Sequence, residues 1–160
     1  MLTIREATPA DVPLILAYIA ELADYERAPE KAVAKAEDLH RHLFGPSPLI
    51  FCELAQWDGK DAGFALYFFN FSTWEGKPGL YLEDLFVRPA FRSHGIGKAL
   101  LKRLARIAVE RGCTRYVWQV LDWNTPSIAF YKAMGARVMH DWLTCRVEGE
   151  ALQQLAEGAP

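Results

Sequence analysis

LEDLFVRPAFRSHGIGKALL, residues 82–101, decides how the rest of this chain is read. Its opening belongs to an apolar run, Leu80–Val87, interrupted by two acids and stopped by Pro89, a strand pattern with a breaker behind it. Its close starts a helix in which Ile96, Leu100, Leu104, Ile107 and Ala108 share one face to about Glu110, while Lys98, Lys102 and Arg106 lie opposite. Between strand and helix stands Arg92-Ser93-His94-Gly95-Ile96-Gly97, an Arg-x-x-Gly-x-Gly pattern. Small residues there let backbone N–H groups turn toward an anion, and the helix dipole favours negative charge at the same place. A pyrophosphate suits that geometry. A Walker loop would need Gly at Arg92 and Ser or Thr at Ala99, and the dinucleotide fingerprint lacks its third glycine at Leu100. Two glycines alone also describe a plain strand-to-helix turn.

Outward from that stretch the chain alternates strands and helices. Residues 2–7 read as a strand, followed by Thr8 as N-cap, Pro9 at the first helical position and Asp11 in the first turn. Val12, Ile15, Leu16, Ile19, Leu22 and Ala23 then recur at helical spacing. A second helix is expected over 31–43, stopping at Gly45-Pro46, and strands over 49–57 and 62–71 joined by the turn chemistry of Asp58-Gly59. A turn at 75–79 leads into the 80–87 strand. After Gly112 come a strand at 116–121, a short helix opened by Thr125-Pro126 and closed by Gly135, two short strands near 136–147 and a final helix. This order predicts an α/β fold of the α+β kind, a mixed sheet covered by helices. The length of 160 residues fits a single domain over 1–160.

Composition narrows the classes of function. A net charge of −2 gives no global pull toward nucleic acid or an anionic membrane. The halves differ: residues 1–80 carry 12 acids and 7 bases, residues 81–160 carry 8 and 11, so a phosphate-rich ligand suits the second half and a cationic one the first. Three scattered cysteines and four histidines complete neither a disulfide framework nor a zinc spacing, so no metal is expected, and a reducing compartment is. No apolar run approaches a membrane helix, and the N-terminus lacks a signal-peptide core. The expectation is a cytoplasmic protein with no nucleic-acid or membrane partner.

Together with WNTPSIAFYKAMGA at 123–136, the 82–101 stretch resembles the core of the GNAT acetyltransferase superfamily. YLED at 81–84, ADYE at 23–26, STW at 72–74, LDWN at 121–124 and FYKAMGA at 130–136 are similar to the diamine (spermidine/spermine) N-acetyltransferase branch, especially its thialysine N-epsilon-acetyltransferase members. The resemblance runs from about residue 2 to 136. It implies a GNAT-like fold with a central, mostly antiparallel sheet, acetyl-CoA as co-substrate, direct transfer to a primary amine in a ternary complex, and a homodimer.

The resemblance also assigns roles. Tyr131 matches the family's catalytic tyrosine, the acid for the departing thiolate; read without it, Tyr131 is a packed aromatic. Glu83 matches the glutamate that binds the acceptor amine and draws off its proton. As a residue, an acid inside an apolar strand is costly to bury without a partner or a purpose. Asp84 is weaker, because alternation points it to the other face unless a bulge intervenes. By resemblance, the backbone of Leu85, Phe86 and Val87 pairs with the pantetheine arm, the loop Arg92, Ser93, His94, Gly95, Ile96, Gly97 and Lys98 holds the pyrophosphate, and Asn124 and Ser127 contact the cofactor. Tyr25, Glu26 and Trp74, with Glu83, match positions lining the amine pocket, where carboxylates and aromatic walls suit a cation.

Two departures bear on the acceptor. Polyamine acetylators carry an acid where this chain has Ser72, and the acidic stretch that follows their catalytic region is replaced here by Arg137–Trp142. Both remove negative charge that would hold a long polycation, which favours a thialysine- or lysine-like amine or a short diamine over spermidine and spermine. Protein-lysine acetylation and a non-catalytic acyl-CoA-binding module stand as alternatives, and nucleic-acid binding through Lys98, Lys102 and Arg106 is disfavoured by the absence of interleaved aromatics.

Overall fold

The alternating segments assemble into one five-stranded sheet. In the computed structural model, which describes residues 1–158, the strands are β1 (Leu2–Glu6), β2 (Phe51–Trp57), β3 (Lys60–Ser72), β4 (Lys77–Val87) and β5 (Arg115–Trp118), in the order β1-β2-β3-β4-β5. The helices are α1 (Val12–Tyr25), α2 (Ala36–Phe44), α3 (Ile96–Glu110), α4 (Thr125–Ala133) and α5 (Glu150–Ala156). Pairings among β1 to β4 are antiparallel, and β4–β5 is parallel. A parallel neighbour needs a crossover, which α3 supplies. The chain divides into two compact units, Met1–Trp123 with the sheet and α1 to α3, and a second beginning at Asn124 with α4 and α5.

Local chemistry sets the boundaries. Pro9 opens a short 3-10 turn, Pro9–Asp11, rather than α1 itself. The Asp11 carboxylate accepts from the Thr8 backbone N–H at 2.7 Å and from both Arg5 guanidinium ends at 2.7 and 2.8 Å, which holds its pKa well below the usual range. The helix expected from residue 31 begins at Ala36, because Asp38 caps it by accepting from the Lys35 N–H at 2.9 Å and Pro29–Lys31 form a separate turn. Asp58 and Gly59, with φ of 49° and 75°, close β2 onto β3 in the left-handed conformation a two-residue hairpin requires. The strands expected near 136–147 are absent from the second unit taken by itself, since a strand exists only against a ladder partner.

The sheet's two faces bury different helices. On one, Val12, Ile15, Tyr18 and Leu22 of α1 and Leu39 and Leu43 of α2 pack with Leu54, Phe64, Leu66 and Phe86. The Tyr18 ring stacks on Phe64 at 5.1 Å and meets Phe86 edge-on at 6.3 Å. Over the other face α3 packs on β2, β3 and β4 through its buried Ile96, Leu100 and Leu104. Glu53 is fully buried and paired with Arg103 at 3.2 Å; burial pushes its carboxyl upward against the guanidinium's pull.

Candidate active site

The geometry of β4 changes at Glu83. Tyr67 of β3 pairs with Leu82 and Leu66 pairs with Asp84, so Glu83 is an extra residue and two acids oppose Leu66. This is a β-bulge. Leu66 belongs to the core cluster beneath α1, and beyond the bulge Asp84 and Phe86 share that face, opposite Leu66 and Phe64. The expectation that alternation sends Asp84 to the far face is therefore corrected. So is the cost expected of burying Glu83: Glu83 is exposed, while Asp84 is half-buried.

Three carboxylates meet at this point. Burial first, then the charges of Glu83 and Glu26, push the Asp84 carboxyl up to about 7. Glu26, which follows the last turn of α1, is itself raised by burial. Its neighbour Tyr25 lies with its ring 6.4 Å from that of Trp123 and under the Arg92 guanidinium at 5.0 Å, and Arg27 covers the Trp123 ring at 4.1 Å. The sequence reading missed Trp123 and Arg27 as parts of this wall. Trp123 was visible inside the LDWN motif, but nothing in the linear order brings it to Tyr25.

A second feature starts where the bulge ends. Strand β5 pairs with β4 from Gly79 to Leu82 and stops at Trp118. From Glu83 to Val87, β4 has β3 along one edge and no strand of the sheet along the other. Within the first unit that edge has no strand partner, and it suits an extended ligand carrying amides of its own. Leu85 and Val87 are half-buried and Phe86 is part of the core, so backbone rather than side chains is on offer there.

The loop that follows is shaped to take an anion. Ser93 and Gly95 have φ of 66° and 74°, and α3 starts at Ile96 without a side-chain cap, leaving the N–H groups of its first turn uncommitted. A Cβ at Gly95 would meet nothing, so backbone conformation, not space, is what asks for glycine. Ile96 is in the core and can contribute only its backbone, whereas Lys98 is exposed. The Arg92 Nε–H donates to the Val87 carbonyl at 3.0 Å, and the His94 Nδ1 lies 2.8 Å from the Arg92 carbonyl and 3.2 Å from that of Phe91. The residues present thus fit a ligand with an amide arm and a pyrophosphate. Among the described residues no group of three or more His, Cys, Asp or Glu is placed to hold a metal ion.

Asn124, Ser127 and Tyr131 belong to the second unit. There the Asn124 Oδ1 accepts from the Ser127 N–H at 3.4 Å and caps α4, while Tyr131 lies near the end of that helix with its ring 5.5 Å from Phe130. Trp74 stands apart from the carboxylates. It lies in the β3–β4 turn, 90% exposed, and the strand from Lys77 to Glu83 spans about 20 Å. Ser72 is buried at the foot of that turn, where its hydroxyl accepts from the Glu75 N–H at 3.4 Å.

Comparison with known proteins gives these features a context. The family model described as the acetyltransferase (GNAT) family matches residues 16–136. A thialysine N-epsilon-acetyltransferase of Sus scrofa is 38% identical over 96% of this chain and 96% of its own. An L-ornithine N5-acetyltransferase of Arabidopsis thaliana is 34% identical over 95% of this chain and 86% of its own. Among solved structures, an integron cassette protein from the mobile metagenome of V. cholerae superposes with a TM-score of 0.82 at 30% identity, covering 98% of both chains.

Proposed function

The chain belongs to the GNAT acetyltransferase family, and from that premise we propose that it is an acetyl-CoA-dependent N-acetyltransferase of small primary amines, with a thialysine- or lysine-like amino acid or a short diamine as acceptor. The observation that carries this reading is the parting of β5 from β4 at Leu82, which leaves the Glu83–Val87 edge open between a carboxylate cluster and an anion-binding loop. Acetyl-CoA supplies an activated acetyl thioester with an amide arm and phosphates, matching edge and loop in that order. The family match runs through the first unit into the start of the second, ending at residue 136, which supports their working as one acetyltransferase domain.

The chain's own groups divide the work. Glu26, Glu83 and Asp84 attract an ammonium, and Tyr25 with Trp123 adds aromatic walls. An alkyl ammonium has no lone pair, so it must lose a proton before it can attack. By resemblance Glu83, exposed to water, draws off that proton, and Asp84, its carboxyl pushed up to about 7 beside Glu83, shares it at neutral pH more readily than an ordinary carboxylate would. N–H groups of the Leu85–Val87 backbone stabilise negative charge growing on the thioester oxygen. Tyr131 protonates the leaving sulfur. A cysteine relay finds no support: burial pushes the Cys52 and Cys113 thiols upward, away from the reactive thiolate.

The names of the relatives, thialysine and ornithine acetyltransferases, favour amino-acid amines. So does Ser72, engaged in its turn where polyamine acetylators carry an acid. Homodimerisation, on the strength of the resemblance, and a cytoplasmic location, on the three scattered cysteines, complete the proposal; no described helix is long and apolar enough to cross a membrane. The test is thiol release from acetyl-CoA across thialysine, lysine, ornithine, putrescine, spermidine, spermine, an aminoglycoside and a lysine peptide. Preference for lysine-like amines is expected, and preference for spermidine or spermine overturns the acceptor assignment. Tyr131→Phe should lower kcat about a hundredfold while CoA still binds; unchanged turnover removes Tyr131 from the acid role.

A further inference from the structure

We propose that Trp57 and His94 form a clamp that sets the shape of the phosphate loop, with Trp57 a positioning residue for the phosphates of acetyl-CoA. The inference rests on the functional reading above but adds Trp57, to which that reading gives no task. Trp57 ends β2, far from the loop in sequence, yet its ring lies 4.8 Å from the His94 ring at an interplanar angle of 55°.

The two partners differ in what holds them. Trp57 stands on a rigid base: it pairs with Leu2 of β1 and Lys60 of β3, and the Asp58-Gly59 hairpin follows it at once. His94 sits in an exposed loop with little conformational preference of its own, since Ser93 adopts φ of 66° without being glycine. Something outside the loop has to select that conformation. Trp57 does so through the His94 ring packed on it, and inside the loop the His94 Nδ1–H donates to the carbonyls of Arg92 at 2.8 Å and Phe91 at 3.2 Å. Those carbonyls are thereby drawn to one side. The N–H groups of the left-handed Ser93 and Gly95 are left to the anion. On the loop's other flank the Arg92 Nε–H is tied to the Val87 carbonyl at 3.0 Å. The loop is thus stretched between β2 and β4, and the β2 anchor is an aromatic contact.

A clamp predicts a loss confined to phosphate-bearing ligands, which a general packing role does not. The experiment measures the Kd of CoA by calorimetry for the wild type, Trp57→Ala, Trp57→Phe, His94→Ala and the Trp57→Ala/His94→Ala double variant. In parallel it measures kcat/KM with S-acetylpantetheine, a thioester without phosphate. Each alanine variant should weaken CoA about tenfold, the scale of one lost aromatic contact with its ordering effect. The double variant should weaken it no further than His94→Ala alone, because the contact with Trp57 is already lost there. Trp57→Phe should retain affinity within about threefold, keeping a ring on His94. Transfer from S-acetylpantetheine should stay within about twofold in the two Trp57 variants. CoA affinity unchanged in His94→Ala, whose exposed position keeps folding out of the question, overturns the clamp. So does an equal loss with both donors. Failure of the wild type to bind CoA at all would instead bring down the acetyltransferase reading on which the clamp stands.

Discussion

From Gly79 to Leu82, β4 has β3 on one edge and β5 on the other, and Leu80 and Leu82 are 0% and 3% exposed; from Glu83 to Val87 it keeps β3 alone, and its first two side chains are acids. A single strand therefore serves as core in its first half and, in the function proposed above, as reaction surface in its second. Two local events separate the halves: one extra residue at Glu83, and the end of β5 at Trp118. The bulge puts two carboxylates against one partner residue, and the missing neighbour uncovers backbone just beyond them. What looks like one hydrophobic strand is a boundary between packing and chemistry.

Substitutions on the two sides of that boundary should fail in different ways. The largest effect is expected from Glu83→Gln, which removes a charge from the exposed end of the acid cluster. Steady-state kinetics should show kcat/KM for the amine down about 10²- to 10³-fold, with an unchanged melting temperature. Leu80→Ala should do the reverse, costing about 3 kcal/mol in urea unfolding because a fully buried side chain leaves a cavity, while kcat below the transition stays near that of the wild type. Loss of catalysis without loss of stability in Leu80→Ala would erase the contrast.

Asp84 gives a finer test, because its environment writes itself into the pH dependence. Its folded pKa of about 7 lies above the ordinary carboxylate value near 4, so the folded state binds this proton more tightly than the unfolded state does. Stability must then fall as pH rises from about 4 to about 7 and level off above, and Asp84→Asn should flatten that fall. The same variant should lower kcat/KM about tenfold or more and remove an inflection near pH 7 from the amine's kcat/KM profile, the pKa belonging to the carboxylate cluster rather than to one residue. A variant that retains the inflection would exclude Asp84 as its source. The smallest effect is expected at Trp74, outside the cluster: Trp74→Ala should change the amine KM by less than about twofold, and a large rise would place Trp74 in a pocket that the strand geometry of its own chain does not reach.

Much of this molecule was legible in linear order because its signals are local. The apolar period of α1 and α3, the Asp58-Gly59 hairpin, Pro89 as a strand stop and the small residues before Ile96 all act within a few positions, where sterics and hydrogen bonding leave few choices. The left-handed turn into α3 was legible for the same reason. The beginning of α2 was less so, since it depends on one side chain, Asp38, winning the cap over the Pro29 turn.

The arrangement of the site was decided only by the fold. Composition and motifs determined that a helix-and-sheet protein with an anion loop and an acid pair would form, and which family it resembles. They could not say that Glu83 bulges, because a bulge is a difference in residue count between two strands, and register is a property of the pair. Nor could they place Glu26 against Asp84, Trp123 beside Tyr25 or Trp57 under His94, contacts between positions 37 to 98 residues apart whose distances are set by sheet order. Side-chain identity is written locally, whereas charge proximity and burial, which move a carboxyl from near 4 to about 7, exist only once distant segments share a space.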